Sequence, residues 1–267
     1  MKMFCISINP NHLNLIKELG YIPVGLGENK FSDEWYRDNS GINISNKNPY
    51  YGEYTFHYWL WKNNKIEFDN WIGFCQYRKF WRNINVKIES NRIHDFKKSI
   101  LIEVPKNLKN FDAILVEETL INQFRFSKFI KHNFKKMIIN PNLFFNKNKR
   151  NIKFHFDMWH GEGNLDKAID KLPTKEKNDF KDFVNTSVSF NPQNMFICKE
   201  KNTLFSYYES LFPWLLECEK IFGFKNNNYG LKRMYGFLAE RYLSYWFKKY
   251  KKISTLPFIF KDLSDFL

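Results

Sequence analysis

The chain has 267 residues, with 42 Lys and Arg against 28 Asp and Glu, which gives a formal net charge of +14. Hydrophobic residues make up 43% of it and aromatic residues 19%, so the chain can bury a large core and is not intrinsically disordered. Its 11 glycines and 9 prolines are too few for a fibrous or low-complexity protein. The four cysteines are widely spaced, without a Cys-x-x-Cys pair, which argues against a disulfide scaffold or a cysteine metal site.

The excess of positive charge is compatible with nucleic-acid binding. However, only eight of the 42 basic residues are arginines, and the chain is also rich in Asn, Ile and Phe. Because Lys shares A/T-rich codons with these residues, codon usage explains much of the charge equally well. The net charge alone therefore identifies no partner.

The first predicted element is a buried strand at 4–8, since this apolar run is too short for a signal peptide or a membrane span. A short amphipathic helix at 13–19 and an extended segment at 21–25 follow. The polar residues 27–48 predict a loop, and the spacing of the aromatic residues in 51–63 predicts a helix.

Apolar runs predict further strands at 71–75 and 111–116, and the last strand at 194–198. The remaining helices are predicted at 165–184 (interrupted at Pro173), 201–222 and 231–250. Strands that alternate with helices predict an α/β fold with a mostly parallel sheet. Ligands of such sheets bind beyond the carboxyl ends of the strands. We therefore expect the site in the loops that follow Val24, Cys75, Val116 and Cys198.

The first candidate binding segment is the polar loop at 38–48, with the sequence D-N-S-G-I-N-I-S-N-K-N. Its carboxylate, amide and hydroxyl groups can hydrogen-bond a base and a ribose, and Lys47 precedes a helix N-terminus that favours phosphate. Asn, Gly and Ser also build ordinary turns, and the loop carries no phosphate-binding glycine motif. A purely structural loop is thus the alternative.

The second candidate is the segment 76–79, Q-Y-R-K, which directly follows a predicted buried strand. Sugar-nucleotide transferases usually carry an Asp-x-Asp motif at such a position, whose metal neutralises the diphosphate leaving group. Arg78 and Lys79 can supply this positive charge directly. The alternative is a basic strand end that faces solvent.

The third candidate is the segment 154–161, F-H-F-D-M-W-H-G. The spacing of His155, Asp157 and His160 matches none of the established zinc patterns. An aromatic loop that binds an acceptor sugar through His155, Trp159 and His160 is a more natural functional interpretation, with structural packing as the alternative.

The fourth candidate is the segment 233–241, R-M-Y-G-F-L-A-E-R, within a predicted helix. Arg233 and Glu240 are seven residues apart and so share one helix face. Glu240 is a candidate general base for an acceptor hydroxyl. A structural ion pair with Arg241 is compatible with the same pattern.

Taken together, these segments resemble the bacterial capsular-polysaccharide glycosyltransferases classified as domain of unknown function 4422. The loop and the helix after it are similar to the family's D-N-T-G-x-N-I-S-x-K-N and Y-x-E-x-T-x-x-Y-W-x-W-K-N blocks. Residues 72–79 resemble its I-G-L-x-H-Y-R-R block, with Gln76 in place of His and Lys79 in place of the second Arg. Its N-M-F-I and R-x-x-G-F-L-x-E-R blocks match 194–197 and 233–241.

The resemblance implies a GT-A-like (Rossmann-like) mixed sheet flanked by helices, in a single domain over 1–267. Residues 1–118 would form the nucleotide-sugar-binding half and residues 119–267 a helical acceptor half. The implied activity is transfer of a hexose, most simply galactose in pyranose or furanose form, from a UDP-sugar. The acceptor would be a growing capsular or lipopolysaccharide-type surface glycan, free or lipid-linked.

The resemblance and the candidate segments together give a set of site residues. We expect the donor to contact Asp38, Asn39, Asn43, Ser45, Lys47, Asn48, Glu53, Trp61, Lys62, Gln76, Tyr77, Arg78, Lys79 and Arg233. The expected acceptor-binding residues are His155, Trp159 and His160. Glu240 is the first choice for general base and Asp157 the second. No metal cofactor is predicted, with Mn²⁺ or Mg²⁺ left open as an alternative.

We expect a cytoplasmic protein without a nucleic-acid partner. The lysines at 248, 249, 251 and 252, next to the aromatic residues 245–247, indicate peripheral contact with the inner face of the cytoplasmic membrane. The alternative function is a non-catalytic glycan- or nucleic-acid-binding module that uses aromatic residues interleaved with lysines.

Overall fold

A computed structural model describes residues 1–64, 71–86, 92–123, 146–224 and 229–267. The strands in this part of the chain are β1 (Lys2–Ser7), β2 (Ile22–Gly25), β3 (Tyr36–Arg37), β4 (Ile72–Gln76), β5 (Lys79–Trp81), β6 (Ala113–Val116), β7 (Thr119–Leu120), β8 (Ser189–Phe190), β9 (Phe196–Cys198), β10 (Ile253–Leu256) and β11 (Phe258–Phe260). The helices are α1 (Leu13–Glu18), α2 (Asn48–Tyr51), α3 (Tyr54–Asn63), α4 (Ile93–Ser99), α5 (Ile152–His160), α6 (Asn164–Ile169), α7 (Thr174–Thr186), α8 (Lys201–Phe222), α9 (Tyr229–Lys232) and α10 (Met234–Tyr250). None of these helices is long and apolar enough to cross a membrane.

The central sheet has the strand order β10-β6-β9-β4-β1-β2-β3, and β5 extends it by pairing with both β4 and β11. Strands β4, β1, β2 and β3 are parallel, as are β10 and β6, whereas β9 is antiparallel to both of its neighbours. The sheet is therefore mixed, as the family resemblance implies. Six of the seven strands along this path run in the same direction, so the prediction of a mostly parallel sheet is confirmed as well.

The direction of β9 follows from the connection before it. Strand β7 begins three residues after β6 ends, and it pairs with β8 near that carboxyl end. Only five residues then lead from β8 to β9. A parallel strand needs a crossover connection of about a dozen residues or more, so β9 enters the sheet at the carboxyl edge and runs in the opposite direction. The end of β9, at Cys198, consequently lies at the edge opposite to the ends of β1 and β4.

The prediction that 194–198 is the last strand is wrong. The segment 253–260, I-S-T-L-P-F-I-F, forms β10 at one edge of the sheet and β11 against β5. Each of these strands is only three or four residues long, and Pro257 separates them. Such short runs carry little periodicity, which is why sequence reasoning missed them.

Both faces of the sheet are buried, which explains why its strands are nearly continuous apolar runs. Successive side chains of β1 alternate between the faces, with Phe4 in one core cluster and Met3 and Cys5 in the other. On the first face, the rings of Phe4, Phe74 and Phe196 line up across β1, β4 and β9 at centroid distances of 5.8 and 5.0 Å. Helices α3, α8 and α10 cover this face, so the sheet edge and the start of α10 are held in a fixed relation.

Candidate functional site

A cleft of about 390 Å³ opens at the edge of the sheet where the parallel strands β1 and β4 end. Its polar lining comes from the turns around the sheet edge and from the start of α10. The contributing groups are Ser7, Asn48, Glu53, residues 76–79, residues 193–194, Arg233 and Glu240. The loops after Val24 and Cys75 therefore reach the cleft, as predicted, whereas the loop after Cys198 does not, because β9 runs antiparallel.

Glu53, which caps the start of α3, lies in the middle of the cleft lining. Its Oε1 accepts hydrogen bonds from Gln76 Nε2 at 3.2 Å and from Asn194 Nδ2 at 2.8 Å. Its Oε2 is 3.4 Å from Arg233 Nη2. Three chain segments that are far apart in sequence thus converge on one carboxylate.

A two-residue turn leads into β9 with both residues in the left-handed region: Gln193 has a φ of 80° and Asn194 a φ of 53°. Left-handed conformations of residues other than Gly cost about 1 kcal/mol or more each and persist only where the surroundings hold them. Here the Gln193 N–H donates to Glu240 Oε1 at 2.6 Å, and the Gln193 carbonyl accepts from Gln76 at 3.1 Å. The turn therefore connects the two carboxylates of the cleft, Glu53 and Glu240.

Glu240 is backed by a buried cation. Its Oε2 pairs with Arg241 Nη1, and the Arg241 side chain is only 2% exposed. Arg241 Nη2 lies 3.2 Å from His155 Nδ1. Burial and the nearby Arg241 lower the pKa of His155 to about 3, so this ring is neutral and accepts the bond. His155, which we expected to bind the acceptor, instead contacts the residue that holds Glu240.

Three cations line the same cleft, and their pairing differs. Arg78 pairs with Asp262 at 2.6 Å, and Arg233 lies next to Glu53. Lys79 is largely buried, and burial lowers its pKa, opposed by the charges of Glu53 and Glu240. Within the described ranges, no carboxylate lies within ion-pair distance of the Lys79 ammonium. Lys79 is thus a desolvated cation available to a ligand anion.

Most of the predicted nucleotide loop lies outside the cleft, and only its last residue, Asn48, lines it. Asp38 is buried, which raises the pKa of its carboxyl group. Asn39 is exposed, while Asn43 accepts hydrogen bonds from the backbone and hydroxyl of Ser45. Asn43 therefore stabilises the loop itself.

The other predicted donor-binding residues that lie outside the cleft make contacts on α3 or α8. Both carboxylate oxygens of Glu219, on α8, are 2.8 Å from Lys47 Nζ. Trp61 stacks on Phe212, and the Lys62 ammonium lies over the Trp61 ring at 3.5 Å. Trp61 and Lys62 are at the far end of α3, roughly 12 Å along the helix from Glu53.

The predicted acceptor segment forms helix α5 and not a loop. Asp157 pairs with Lys153 at 2.7 Å and lies outside the cleft. Trp159 is 44% exposed but also lies outside it. His160, whose pKa burial lowers to about 3, stacks on Phe237 at 4.1 Å and thereby supports a ring of the cleft lining from behind.

Sequence reasoning missed several residues that line the cleft: Gln193, Asn194, Tyr229, Phe237 and Phe260. The sequence does carry a signal for Tyr229 and Phe237. Their spacing relative to Arg233 and Glu240, in steps of four, four and three residues, places all four on one helix face. Gln193 and Asn194 could have been suspected as polar residues directly before a buried strand.

In the part of the chain that the structure describes, no group of three or more His, Cys, Asp or Glu side chains suits a metal ion.

The position of Arg233 depends on Gly52, which has a φ of 61°. A Cβ atom at Gly52 would lie 2.0 Å from Arg233 Nη2, whereas a Cβ at Gly223, which has a similar backbone conformation with a φ of 59°, would meet nothing within 4 Å. We predict that Gly223→Ala lowers the free energy of unfolding by about 1–3 kcal/mol through backbone strain alone. Gly52→Ala should cost about 1–2 kcal/mol more, because it also displaces the guanidinium.

Urea unfolding of both variants measures the difference. In an Arg233→Ala background the additional cost of Gly52→Ala should disappear. Equal losses for the two glycines, or an additional cost that survives without Arg233, would contradict this account of the contact.

Comparisons with known proteins agree with this architecture. A family model, "Domain of unknown function (DUF4422)", matches residues 6–252. The fold is similar to that of the solved apo structure of WbbM, a bifunctional glycosyltransferase, with a TM-score of 0.60 and 20% sequence identity. The alignment covers 97% of this chain and 45% of the WbbM chain, so this chain spans less than half of that protein. No curated protein matches the sequence.

The likeness to WbbM shows a GT-A-like fold, in which a mixed sheet is flanked by helices. The family match adds the sequence blocks at the cleft, since it includes residues 76–79, 193–194 and 233–240. Because this match extends over nearly the whole chain, the protein belongs to the DUF4422 family.

Proposed function

We propose that the protein is a glycosyltransferase that moves a hexose, most simply galactose in pyranose or furanose form, from a UDP-sugar to a growing surface glycan. One observation carries the proposal: the cleft holds Lys79, a desolvated cation without an ion-pair partner among the described residues, beside two fixed carboxylates, Glu53 and Glu240. Glycosyl transfer needs a positive charge for the diphosphate that leaves and a base for the hydroxyl that attacks.

In this reaction the bond between the sugar C1 and the β-phosphate oxygen breaks, and its electron pair leaves with UDP. The acceptor oxygen forms the new bond to C1 and loses its proton. Lys79 and Arg233 would stabilise the negative charge that develops on the diphosphate, and Arg78 would join them if its contact with Asp262 opens. With these cations in place of an Asp-x-Asp metal, the transfer is metal-independent.

Glu240 would accept the proton. Each of its carboxylate oxygens takes one hydrogen bond, from Gln193 or from Arg241, and retains a lone pair for a hydroxyl group. Oε1 of Glu53, in contrast, already accepts two bonds. Asp157, the second choice from the sequence, lies outside the cleft in an ion pair with Lys153.

Gln76, which replaces the usual His of the family resemblance, would add no titrating group to the site. Its Nε2 donates both to Glu53 and to the Gln193 carbonyl. A carboxamide does not titrate, so Gln76 remains a hydrogen-bond donor at any pH, whereas a His would gain or lose a proton near neutral pH.

A lipid-linked acceptor at the inner face of the cytoplasmic membrane belongs to this proposal, but the aromatic part of the predicted contact is buried. Tyr245, Trp246 and Phe247 lie in the core. Lys248 and Lys249 pair with Glu118 and Asp179, respectively. Contact with anionic lipid would thus rest on electrostatic attraction through this lysine cluster and not on inserted rings.

A panel of UDP-, GDP-, CMP- and dTDP-sugars, incubated with the protein with and without EDTA, tests the proposed function. We expect nucleotide release from a UDP-hexose that is equal in both conditions, because the cations belong to the protein. Complete loss in EDTA with rescue by Mn²⁺ would contradict metal independence. Release from no donor, together with no stabilisation of the fold by any donor, would contradict the enzyme itself.

The affinity for UDP should fall at alkaline pH because of Lys79. Burial lowers the pKa of this ammonium, so its charge is lost, as the pH rises, below the 10.5 of an ordinary lysine. We predict that Lys79→Ala weakens UDP binding by about 10- to 100-fold at pH 7.5, as expected for a charge-assisted hydrogen bond. Lys79→Arg should retain affinity to higher pH than the wild type.

Calorimetric titration with UDP between pH 7 and 10 gives these constants. Lys220→Ala, at an exposed lysine on α8, serves as the control and should follow the wild-type curve. If the UDP affinity of Lys79→Arg depends on pH in the same way as that of the wild type, the pH dependence comes from another group.

Glu240→Gln should lower the transfer rate by about 10²- to 10⁴-fold while the UDP affinity stays within about twofold, because only proton removal is lost. Thermal unfolding has to be followed in parallel, since Arg241 loses its carboxylate partner in this variant. Asp157→Asn is the matched control and should retain the wild-type rate. The opposite result, with Asp157 essential and Glu240 dispensable, would move the base to α5.

A further inference from the structure

The face of α9 and α10 that lines the cleft carries an alternating stripe of rings and charges: Tyr229, Arg233, Phe237 and Glu240. The Tyr229 ring meets Phe237 edge to face at 6.0 Å, and the Arg233 guanidinium lies 5.7 Å from the Tyr229 ring centre. Tyr229 is 67% exposed, although a tyrosine ring is a large apolar surface. This exposed ring lies at the cleft next to Phe237, where the face of a sugar can pack on it.

We infer that Tyr229 and Phe237 form the acceptor subsite, with each ring stacking on one of two successive neutral sugars of an acceptor glycan. This inference rests on the proposed function. It assigns acceptor binding to α9 and α10 and not to the α5 residues His155, Trp159 and His160, which the sequence indicated.

The place of the first sugar follows from Glu240. An acceptor hydroxyl has to lie within about 2.6–3.2 Å of the base that takes its proton. Phe237 precedes Glu240 by one helical turn on the same face, so the sugar that carries this hydroxyl lies over the Phe237 ring. His160 stacks on Phe237 at 4.1 Å, which holds this ring of the cleft lining in place.

The place of the second sugar follows from Tyr229. Its ring lies farther from Glu240 along the stripe, at a distance from Phe237 that is comparable with the spacing of successive sugars in a glycan. A monosaccharide on Phe237 leaves Tyr229 uncovered, whereas a disaccharide covers both rings. The cleft therefore favours elongation of an existing glycan over transfer to a free monosaccharide.

The donor side of the cleft is marked by Lys79 on β5, whose cross-strand neighbour Phe260 on β11 is 68% exposed. Arg233 contacts both Glu53 and the Tyr229 ring, so it lies where the donor and acceptor sides meet. A ring next to the phosphate-binding cation belongs to the donor, while the rings next to the proposed base belong to the acceptor. Loss of Tyr229 should thus affect the acceptor and leave UDP binding unchanged.

The test uses the full chain with UDP-galactose and two groups of probes: the methyl glycosides of galactose, glucose and mannose, and the disaccharides lactose, cellobiose and mannobiose. UDP release with and without each probe separates transfer from hydrolysis of the donor. Binding of the same probes is followed by saturation-transfer NMR in the presence of UDP.

We expect the wild type to have a lower KM for its best disaccharide than for the corresponding monosaccharide. Tyr229→Ala should raise the disaccharide KM about fivefold to tenfold, the amount expected for one stacked ring. The monosaccharide KM, the hydrolysis rate and the UDP affinity should stay within twofold of the wild type. Tyr229→Phe should behave as the wild type, because the ring and not the hydroxyl group makes the contact.

Tyr250→Ala, at an exposed ring near the other end of α10, is the matched control and should change none of these constants. An unchanged disaccharide KM in Tyr229→Ala would overturn the inference. So would a weaker UDP affinity in that variant, or an acceptor KM that depends on Phe260 and not on Tyr229.

Failure of the proposed function gives a different pattern. If the wild type turns over no UDP-sugar but binds disaccharides in a Tyr229-dependent manner, the transferase is excluded and a glycan-binding cleft remains. If the wild type binds and uses none of the probes, the acceptor subsite is excluded as well.

Discussion

The arrangement of the cleft depends on the left-handed turn at Gln193 and Asn194 and on its hydrogen bonds. The turn exists because β9 enters the sheet at the carboxyl edge, which brings two polar residues between the end of β4 and the start of α10. Its backbone amide fixes Glu240, and the Asn194 side chain fixes Glu53. The strained backbone is stabilised by the same hydrogen bonds that orient the carboxylates. The site therefore reaches its geometry only when the turn and β9 have folded.

The cations at the cleft differ in how deeply they are buried. Arg241 is buried behind Glu240 among the rings of Phe156, Phe190 and Phe237, where it keeps one orientation. Lys79 is less deeply buried than Arg241, and it has no ion-pair partner among the residues that the structure describes. A cation that is already out of water has little hydration left to lose when an anion arrives, and its interaction with that anion is weakly screened. If the proposed function holds, an anion that binds at Lys79 would thus cost the ammonium little further dehydration.

Residue patterns predicted the elements with strong periodicity or continuous burial, including α8 with its bounds, and they placed Glu53, Gln76, Lys79, Arg233 and Glu240 among the candidates. They could not give the direction of β9, which depends on the length of a connection, or the strands of 253–260, which are too short for a pattern. Polar composition also could not show that most of the loop at 38–48 and the segment 154–161 lie outside the cleft lining. A polar side chain in a turn has the same composition whether it contacts the backbone, as Asn43 does, or a ligand.

The order of strands also constrains how the protein is made. In the sheet, β4 lies between β1 and β9, yet β9 begins 120 residues after β4 ends. While the chain emerges from the ribosome, β1, β2 and β4 can pair long before β9 is available, and one edge of the apolar strand β4 stays without a partner. Unpaired apolar edges are sites of aggregation, and contacts over such sequence distances form slowly. The strand that brings the carboxylates together therefore leaves this edge of β4 exposed in the nascent chain until residue 198 has been synthesised.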